Sequence, residues 1–428
     1  MPRRYYLETL GCPKNDVDSA KLEGSLLTAG LEATDDPSQA DLVVVNTCAF
    51  IETARQESID TILALDELRS DGTRLVVTGC MAERYGDELA AALPEVDEIA
   101  GFSDAVAAVT GRTRGSSIPV TSAPIPELDL LNLPRPASKV PWAYVKIAEG
   151  CDRKCGFCAI PSFRGPQRSR DIAAILDEVD QLAVHEIVLV AQDLASYGKD
   201  RRAELGAGAI VPLVRDVARL VPWVRLLYLY PSDLDDALID VICETDVPYF
   251  DLSLQHVSKP LLRRMRRPGD AARFLSKIET IRERRPDAAL RSNFIVGYPG
   301  ETEADHDALL DFVERAQLDW CGFFAYSREE GTYAAALDGT VERTLMDERL
   351  AELRACQDEI TASRSDALVG TRVRVLVDEP GVGRSGREAP EIDGIIHVDP
   401  ALAPFEFHDV DIVDALGPDL VASGGVPS

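Results

Sequence analysis

The chain of 428 residues has no run of about 18 apolar residues, which argues against a membrane-spanning helix. It opens on Met-Pro-Arg-Arg-Tyr-Tyr, and no apolar segment follows, so a secretory signal is not expected. The expected compartment is the cytoplasm. No internal repeat or low-complexity tract is present. Basic residues are scarce, with 45 Lys and Arg against 73 Asp and Glu and a formal charge of −28. Attraction to phosphate needs basic surface, so this balance argues against a general nucleic-acid binder. It suits a basic partner, or simply solubility. The hydrophobic share of 46% and charged share of 28% are those of a soluble globular protein, and the length calls for two to four domains.

Cysteine, by contrast, is plentiful, with nine residues. Reducing conditions disfavour disulfides, and clustered cytosolic cysteines more often bind metal or carry redox chemistry. The clusters fall within a recognisable organisation. Residues 1–118 alternate short apolar runs (RRYYLETL, DLVVVNT, TRLVVTG) with helical patterns near Ser19–Ala29 and Glu52–Leu68, which reads as a parallel α/β sheet. A stretch rich in proline, 119–139, reads as an extended linker. Residues 140–368 hold six strand-like runs, WAYVKIAEG, EIVLVAQD, VRLLYLYP, PYFDLSLQ, LRSNFIVG and CGFFAYS. Helical patterns follow near Ile172–Ala183, Ile210–Leu220, Leu234–Glu244, Ala271–Arg284, Glu303–Ala316 and Met346–Ser363. Six such units predict a partial (β/α)6 barrel with its chemistry at the C-terminal strand ends. Residues 371–428 carry short β-like runs and turn residues, a small all-β domain. The fold class is therefore α/β with a small β-barrel at the end.

Cys151, Cys155 and Cys158 form a C-x3-C-x2-C loop directly after the first strand of the second region. Closely spaced thiolates hold cubane iron–sulfur clusters, and three of them leave one iron open. A structural zinc site would need a fourth ligand, and the nearest histidine, His185, follows a predicted helix. Loop cysteines without metal are the plainer alternative. Cys12, Cys48 and Cys80 are far apart in sequence, yet each follows a predicted strand of the first domain. If those strands are parallel, their C-terminal ends share one edge, where open α/β folds bind ligands. Cys243, Cys321 and Cys356 read as core residues.

The C-x3-C-x2-C motif, with Phe157 before its last cysteine, resembles the signature of the radical S-adenosylmethionine (SAM) superfamily. That resemblance implies that the open iron chelates SAM and that reduction yields a 5′-deoxyadenosyl radical. The words Gly11-Cys12-Pro13-Lys14-Asn15, Asn46-Thr47-Cys48-Ala49-Phe50-Ile51 and Gly79-Cys80 are similar to the N-terminal domain of methylthiotransferases. The resemblance implies an auxiliary 4Fe-4S cluster on Cys12, Cys48 and Cys80, a C-terminal domain of the TRAM type, and a second SAM as methyl donor. Within the family, Gly-Cys-Pro-Lys-Asn and the segment Gly386–Gly394 resemble the RimO branch, which methylthiolates an aspartate of ribosomal protein uS12. The tRNA-modifying branch is the alternative, and an iron–sulfur scaffold without turnover is a third reading.

Chemistry and charge bear on the choice. An unactivated aspartate β-carbon yields its hydrogen to a carbon radical, not to a side-chain base. Residues 371–428 hold four Arg against eleven Asp or Glu, a formal charge of −7. Such a domain should repel phosphate and attract a basic ribosomal protein, so direct tRNA binding is not expected. A reductant of the flavodoxin or ferredoxin kind is a further expected partner.

Several other residues are singled out. Gln192 and Asp193 end the second strand, and Asn293 and Gly297 end the fifth in a segment resembling the superfamily's adenosine contact; with Phe157 they are the expected cofactor-binding residues. Gln255-His256 ends the fourth strand, where it could contact cofactor or substrate, or simply cap the barrel mouth. Arg164, Arg168 and Arg170 could fork a carboxylate of SAM or substrate, or could lie on a surface loop. The run Arg263-Arg264-Met265-Arg266-Arg267 could help at the substrate entrance, but reads first as a solvated face.

Overall fold

Strands packed on both faces show continuous apolar runs, and the central strand of the first domain, Leu42–Thr47, is buried at every residue. It is β3 of a parallel sheet ordered β2-β1-β3-β4-β5, with β1 at Arg4–Thr9, β2 at Glu32–Ala33, β4 at Arg74–Gly79 and β5 at Glu98–Ile99. The helices are α1 (Pro13–Thr28), α2 (Glu52–Leu68), α3 (Cys80–Ala92) and α4 (Ala105–Thr110). In this computed structural model residues 3–111 and 129–426 are described. α2 coincides with the expected helix. α1 starts six residues earlier than expected, with Pro13 in its first turn. Its early residues Lys14, Asn15, Asp18, Ser19 and Lys21 are polar yet buried, so an apolar stripe could not mark its start.

The second domain has six parallel strands: β6 (Trp142–Lys146), β9 (Glu186–Val190), β10 (Trp223–Leu226), β11 (Tyr249–Gln255), β12 (Ala289–Val296) and β13 (Trp320–Ala325). They pair in two groups of three, β10-β9-β6 and β11-β12-β13, joined by a parallel bridge from Leu229 to Leu252. This is the partial (β/α)6 barrel. A short antiparallel pair, β7 (Ala148–Glu149) and β8 (Arg168–Ser169), flanks the cysteine loop. The third strand is shorter than expected because Tyr228 turns to φ 64° and its amide donates to the Asp251 carboxylate at 2.9 Å. Helices α5 (Ile160–Arg164), α6 (Ile172–Leu182), α7 (Arg202–Leu205), α8 (Ile210–Leu220), α9 (Asp236–Glu244), α10 (Lys259–Arg264), α11 (Ala271–Arg284), α12 (Glu303–Ala316) and α13 (Arg343–Asp366) complete it.

Residues 119–128 of the expected linker, with Pro119, Pro124 and Pro126, lie outside the described residues. From Asp129 onward the chain is docked. A 3-10 turn at Leu130–Asn132 buries both leucines, and the Lys21 ammonium donates to the carbonyls of Leu131 and Leu133.

The C-terminal domain is a closed five-stranded barrel ordered β14-β15-β16-β18-β17. Its strands are β14 (Arg372–Glu379), β15 (Val382–Arg384), β16 (Ile396–His397), β17 (Phe407–Leu416) and β18 (Asp419–Ala422). It caps the N-terminal strand ends of the large barrel, where Leu376, Ala389 and Phe407 pack with Tyr144, Trp223, Tyr249 and Ala289. The Gly386–Gly394 segment lies in this joint: Gly386 accepts from Arg225, and Asp393 accepts from Tyr249 and pairs with Arg291.

Candidate active site

The loop after β6 is shaped first by backbone. Gly150 has φ +78°, and a Cβ there would lie 2.2 Å from the Pro166 carbonyl oxygen. Only glycine fits such a turn. The loop is then pinned: Gly156 donates to the Met265 carbonyl and accepts from Ala334, each at 2.8 Å. Cys151 Sγ accepts from the Arg153 amide at 3.4 Å, and Cys155 Sγ from the Arg267 guanidinium at 3.3 Å. Arg153 is fixed by Asp193 at 2.6 Å, by Ser196 at 3.0 Å and by Asp233. Both Arg153 and Arg267 stack on the Tyr230 ring. Burial pushes the Cys151 thiol up to about 11 and the Cys158 thiol up to about 12. These thiols keep their protons unless a cation displaces them.

Gln192 Oε1 and Asp193 Oδ1, just past the end of β9, are buried without a hydrogen-bond partner in the protein, as is Asn293 Oδ1, which lies not after the fifth strand but inside it, opposite Gly322. Buried oxygens are normally paired, so these orphans are acceptors open to a bound molecule. Phe157 is half-buried against the barrel's apolar core. Gly297 has a different neighbour: its φ is +82°, its amide donates to Glu301 at 2.6 Å, and the Met346 side chain covers its α-carbon. The close approach that this glycine permits is to Met346. His256 also turns from the mouth, because a bulge between Leu252 and Gln255 rotates the strand end. Its Nδ1 accepts from the Ser258 amide at 3.0 Å.

Cys12, Cys48 and Cys80 follow β1, β3 and β4, adjacent parallel strands in register from Thr9 to Asn46 to Thr78. They share one sheet edge. Glycine again sets the geometry. A Cβ on Gly11 (φ +108°) would lie 2.8 Å from Cys48 Cβ, and one on Gly79 (φ +92°) 2.3 Å from Asn46 Oδ1. Cys12 caps α1 and Cys80 opens α3, so both sit at helix N-termini, which favour negative charge. Burial pushes Cys48 up to about 11 and also raises Cys80, against the pull of Arg164.

Arg164 joins this edge to the barrel. One nitrogen, Nη2, donates to Cys80 Sγ at 3.0 Å and to Asn15 Oδ1 at 2.7 Å. The other, Nη1, meets Asp18 at 3.1 Å and Glu149 at 3.0 Å. Lys146 closes the network onto Asp18 and Glu149, and Gln192 Nε2 donates to Glu149 at 2.6 Å. Arg168 is held by Asp129 and Arg170 by Glu178 and the Lys146 carbonyl. All three arginines of the 164–170 segment are thus committed to the protein's own acceptors. Arg164 and Arg267 touch sulfur; Arg164 stood in a stretch that could as well be a surface loop, and Arg267 in a run that read as a solvated face. The helix Ile160–Arg164, opened by Ile160 and Pro161 beside the cysteine loop, was the one local signal for Arg164.

The first domain is also fastened across the barrel mouth. Glu329 accepts from Arg55 at 2.5 Å and Arg84 at 2.7 Å, and Arg84 holds the Ala49 carbonyl next to Cys48. All nine cysteines are free, and Cys243, Cys321 and Cys356 pack partly buried against the barrel core. Among the described residues no three or more His, Cys, Asp or Glu side chains are arranged to hold a metal ion. A cubane makes a different demand, since each thiolate binds its own iron corner.

Residues 4–101 match the model of uncharacterized protein family UPF0004, residues 145–313 the radical SAM superfamily, and residues 369–424 the TRAM domain. The chain is 43% identical to the ribosomal protein uS12 methylthiotransferase RimO of Cutibacterium acnes, over 97% of each chain. It is 44% identical to the protein of the same name from Moorella thermoacetica, over 91% of each. The chain belongs to the RimO family. These relatives are radical SAM methylthiotransferases, named for uS12 and not for tRNA. The radical SAM superfamily to which RimO chains belong uses a 4Fe-4S cluster and SAM. The fold is shared with the radical SAM methyltransferase TsrM from Kitasatospora setae, at a TM-score of 0.55 and 15% identity, over 89% of this chain and 77% of that one. No helix among the described residues is long and apolar enough to cross a membrane.

Proposed function

We propose that this chain adds a methylthio group to the β-carbon of an aspartate in ribosomal protein uS12. Cys151, Cys155 and Cys158 would hold the SAM-binding 4Fe-4S cluster, and Cys12, Cys48 and Cys80 an auxiliary 4Fe-4S cluster. When bound, these groups supply a 5′-deoxyadenosyl radical and a sulfur donor. The protein's part is to position and shield them. The free oxygens of Gln192, Asp193 and Asn293 would accept donors of SAM. Phe157 packs the loop, and Gly297 shapes the turn beside it. The N–H groups of Arg153 and Arg267 lie on the first thiolate set, and Arg164 lies on the second.

The observation that carries this reading is the joining of the two triplets. Both lie at C-terminal strand ends, and one buried network runs from Cys80 through Arg164 to Glu149, two residues before Cys151. An electron carrier alone has no need of unpartnered acceptors in the barrel mouth. For the substrate, Asp414, Glu379 and Glu406 of the C-terminal barrel are exposed and lack ion-pair partners among the described residues. Asp409 and Asp411 also face out, opposite Arg374 and Arg372. This surface favours a basic protein over phosphate, so tRNA is not part of the reading. A flavodoxin- or ferredoxin-like reductant and a cytoplasmic setting complete it.

The test is anaerobic. The clusters are reconstituted, reductant, sulfide and SAM are added, and either uS12 or bulk tRNA is offered. A methylthio mass gain on uS12 is expected, and a gain on tRNA alone would sink the assignment. Cys155→Ala should abolish SAM cleavage.

A further inference from the structure

We infer that Arg164 sets the reduction potential of the group held by Cys12, Cys48 and Cys80, acting through the sulfur of Cys80; this rests on the reading of those three cysteines as cluster ligands. The side chain is 3% exposed, and a guanidinium so buried must be balanced and fully bonded. Asp18 and Glu149 supply two negative charges, while Lys146, bonded to both, supplies a second positive one. The four charges cancel. What remains is directional: Nη2 is aimed at Cys80 Sγ and held there by Asn15 Oδ1. Asn15 is itself locked, donating to the carbonyls of Leu10 and Thr47. The Phe102 ring lies 4.4 Å from the guanidinium and covers it. The donor on Cys80 is therefore preorganised by both domains.

A cation donating to a thiolate ligand stabilises the more negative, reduced form of a cluster. Arg164 comes from the barrel domain, whereas the sulfur belongs to the first domain. The potential of the auxiliary site thus depends on the two domains being seated together. Among the three cysteines, only Cys80 receives a side-chain N–H within the described residues, so its iron corner differs from the other two. Arg164 is a positioning residue here, since it reaches the chemistry through Cys80.

The sign of the effect separates this role from a structural one. The full chain carrying Cys151→Ala, Cys155→Ala and Cys158→Ala loads only the auxiliary site. Iron content and a redox titration followed by electron paramagnetic resonance are compared with and without further changes. Arg164→Met should keep its iron and shift the midpoint negative by about tenfold in the reduced-to-oxidised ratio, or ~59 mV for one electron. Arg164→Lys should shift it less, in the same direction. Glu149→Gln removes a countercharge from Arg164 and should shift the midpoint the opposite way. A loaded Arg164→Met protein with an unmoved midpoint would overturn the proposal, as would shifts of the same sign for Arg164→Met and Glu149→Gln. If Arg164→Met loses its iron, the sign for Glu149→Gln alone decides. A triple-alanine protein without any iron overturns the ligand reading beneath the proposal, a result distinct from an unmoved potential.

Discussion

Single residues were legible where chemistry and chain position coincide. The positions of Cys12, Cys48 and Cys80, of the Cys151–Cys158 loop and of Gln192 and Asp193 past strand ends follow from strand order alone, because parallel strands deliver their C-terminal ends to one edge. Residues whose role depends on a partner far along the chain were not. His256 shows why. It follows a strand as Gln192 does, yet the bulge before Gln255, with φ +71°, turns it into a wholly buried site. Burial pushes its pKa down from 6.5 to about 4; nearby Asp305 opposes this and His306 and Arg349 add to it. The unfolded chain therefore takes the proton first as pH falls. Stability is lost between about 6.5 and about 4, on the order of 3 kcal/mol from this group. His256→Asn retains an acceptor for the Ser258 amide, and the fall in urea midpoint from neutral to about pH 4.5 should be smaller in it than in the parent. An equal fall in both would refute the assignment. Gly11 gives a sharper case. Gly11→Ala puts a methyl group 2.8 Å from Cys48 Cβ in a left-handed backbone. Iron at the auxiliary site should be lost while SAM cleavage at the other site persists, measurable as about half the iron per chain.

Elements were recovered where an apolar stripe or run marks them, as with α2 and the six barrel strands. They were misplaced where a polar face is buried. The start of α1 is the clearest example, since its first two turns are polar on the side that meets the barrel domain and the 129–139 segment. Lys21 is wholly buried there, bonded to the carbonyls of Leu131 and Leu133 and to Glu178 at 3.2 Å. Burial lowers its pKa to about 8, against the pull of Glu178. Glu178 also holds Arg135 at 2.9 Å and Arg170 at 2.7 Å, so one carboxylate ties α1, the 129–139 segment and the barrel together. Lys21→Met leaves two buried carbonyls unpaired and takes one of three cations from Glu178, which keeps Arg135 and Arg170. It should destabilise the protein by about 3 kcal/mol, read as a lowered urea midpoint with an unchanged slope. A midpoint within error of the parent would show that the carbonyls find water instead.

At the scale of the whole molecule, three domains were visible from composition and pattern, but their seating was not. The C-terminal barrel sits on an apolar joint, but much of what holds the first domain is charged residues, which in sequence read as solvent-facing. Arg164 with Glu149 and Asp18 fastens the first domain on one side, and Arg55 and Arg84 with Glu329 fasten it on another. Glu329 is 2% exposed and carries two guanidinium partners, so the second fastening is buried and its charge cannot be replaced by water. Glu329→Gln preserves shape and the Ser327 contact while removing that charge. The barrel's own site is not touched, since Arg153, Asp193 and the Cys151 loop lie within one domain. Formation of 5′-deoxyadenosine should therefore continue near the parent rate. Transfer of the methylthio group, which needs both triplets in register, should fall by about tenfold, because misplacement on the scale of 1 Å is costly to a reaction between held groups. The quantity to measure is 5′-deoxyadenosine formed per methylthiolated uS12. It should rise in Glu329→Gln. A proportional loss of both products would mean that this fastening supports folding alone and that the two sites are kept in register by the Arg164 network without it.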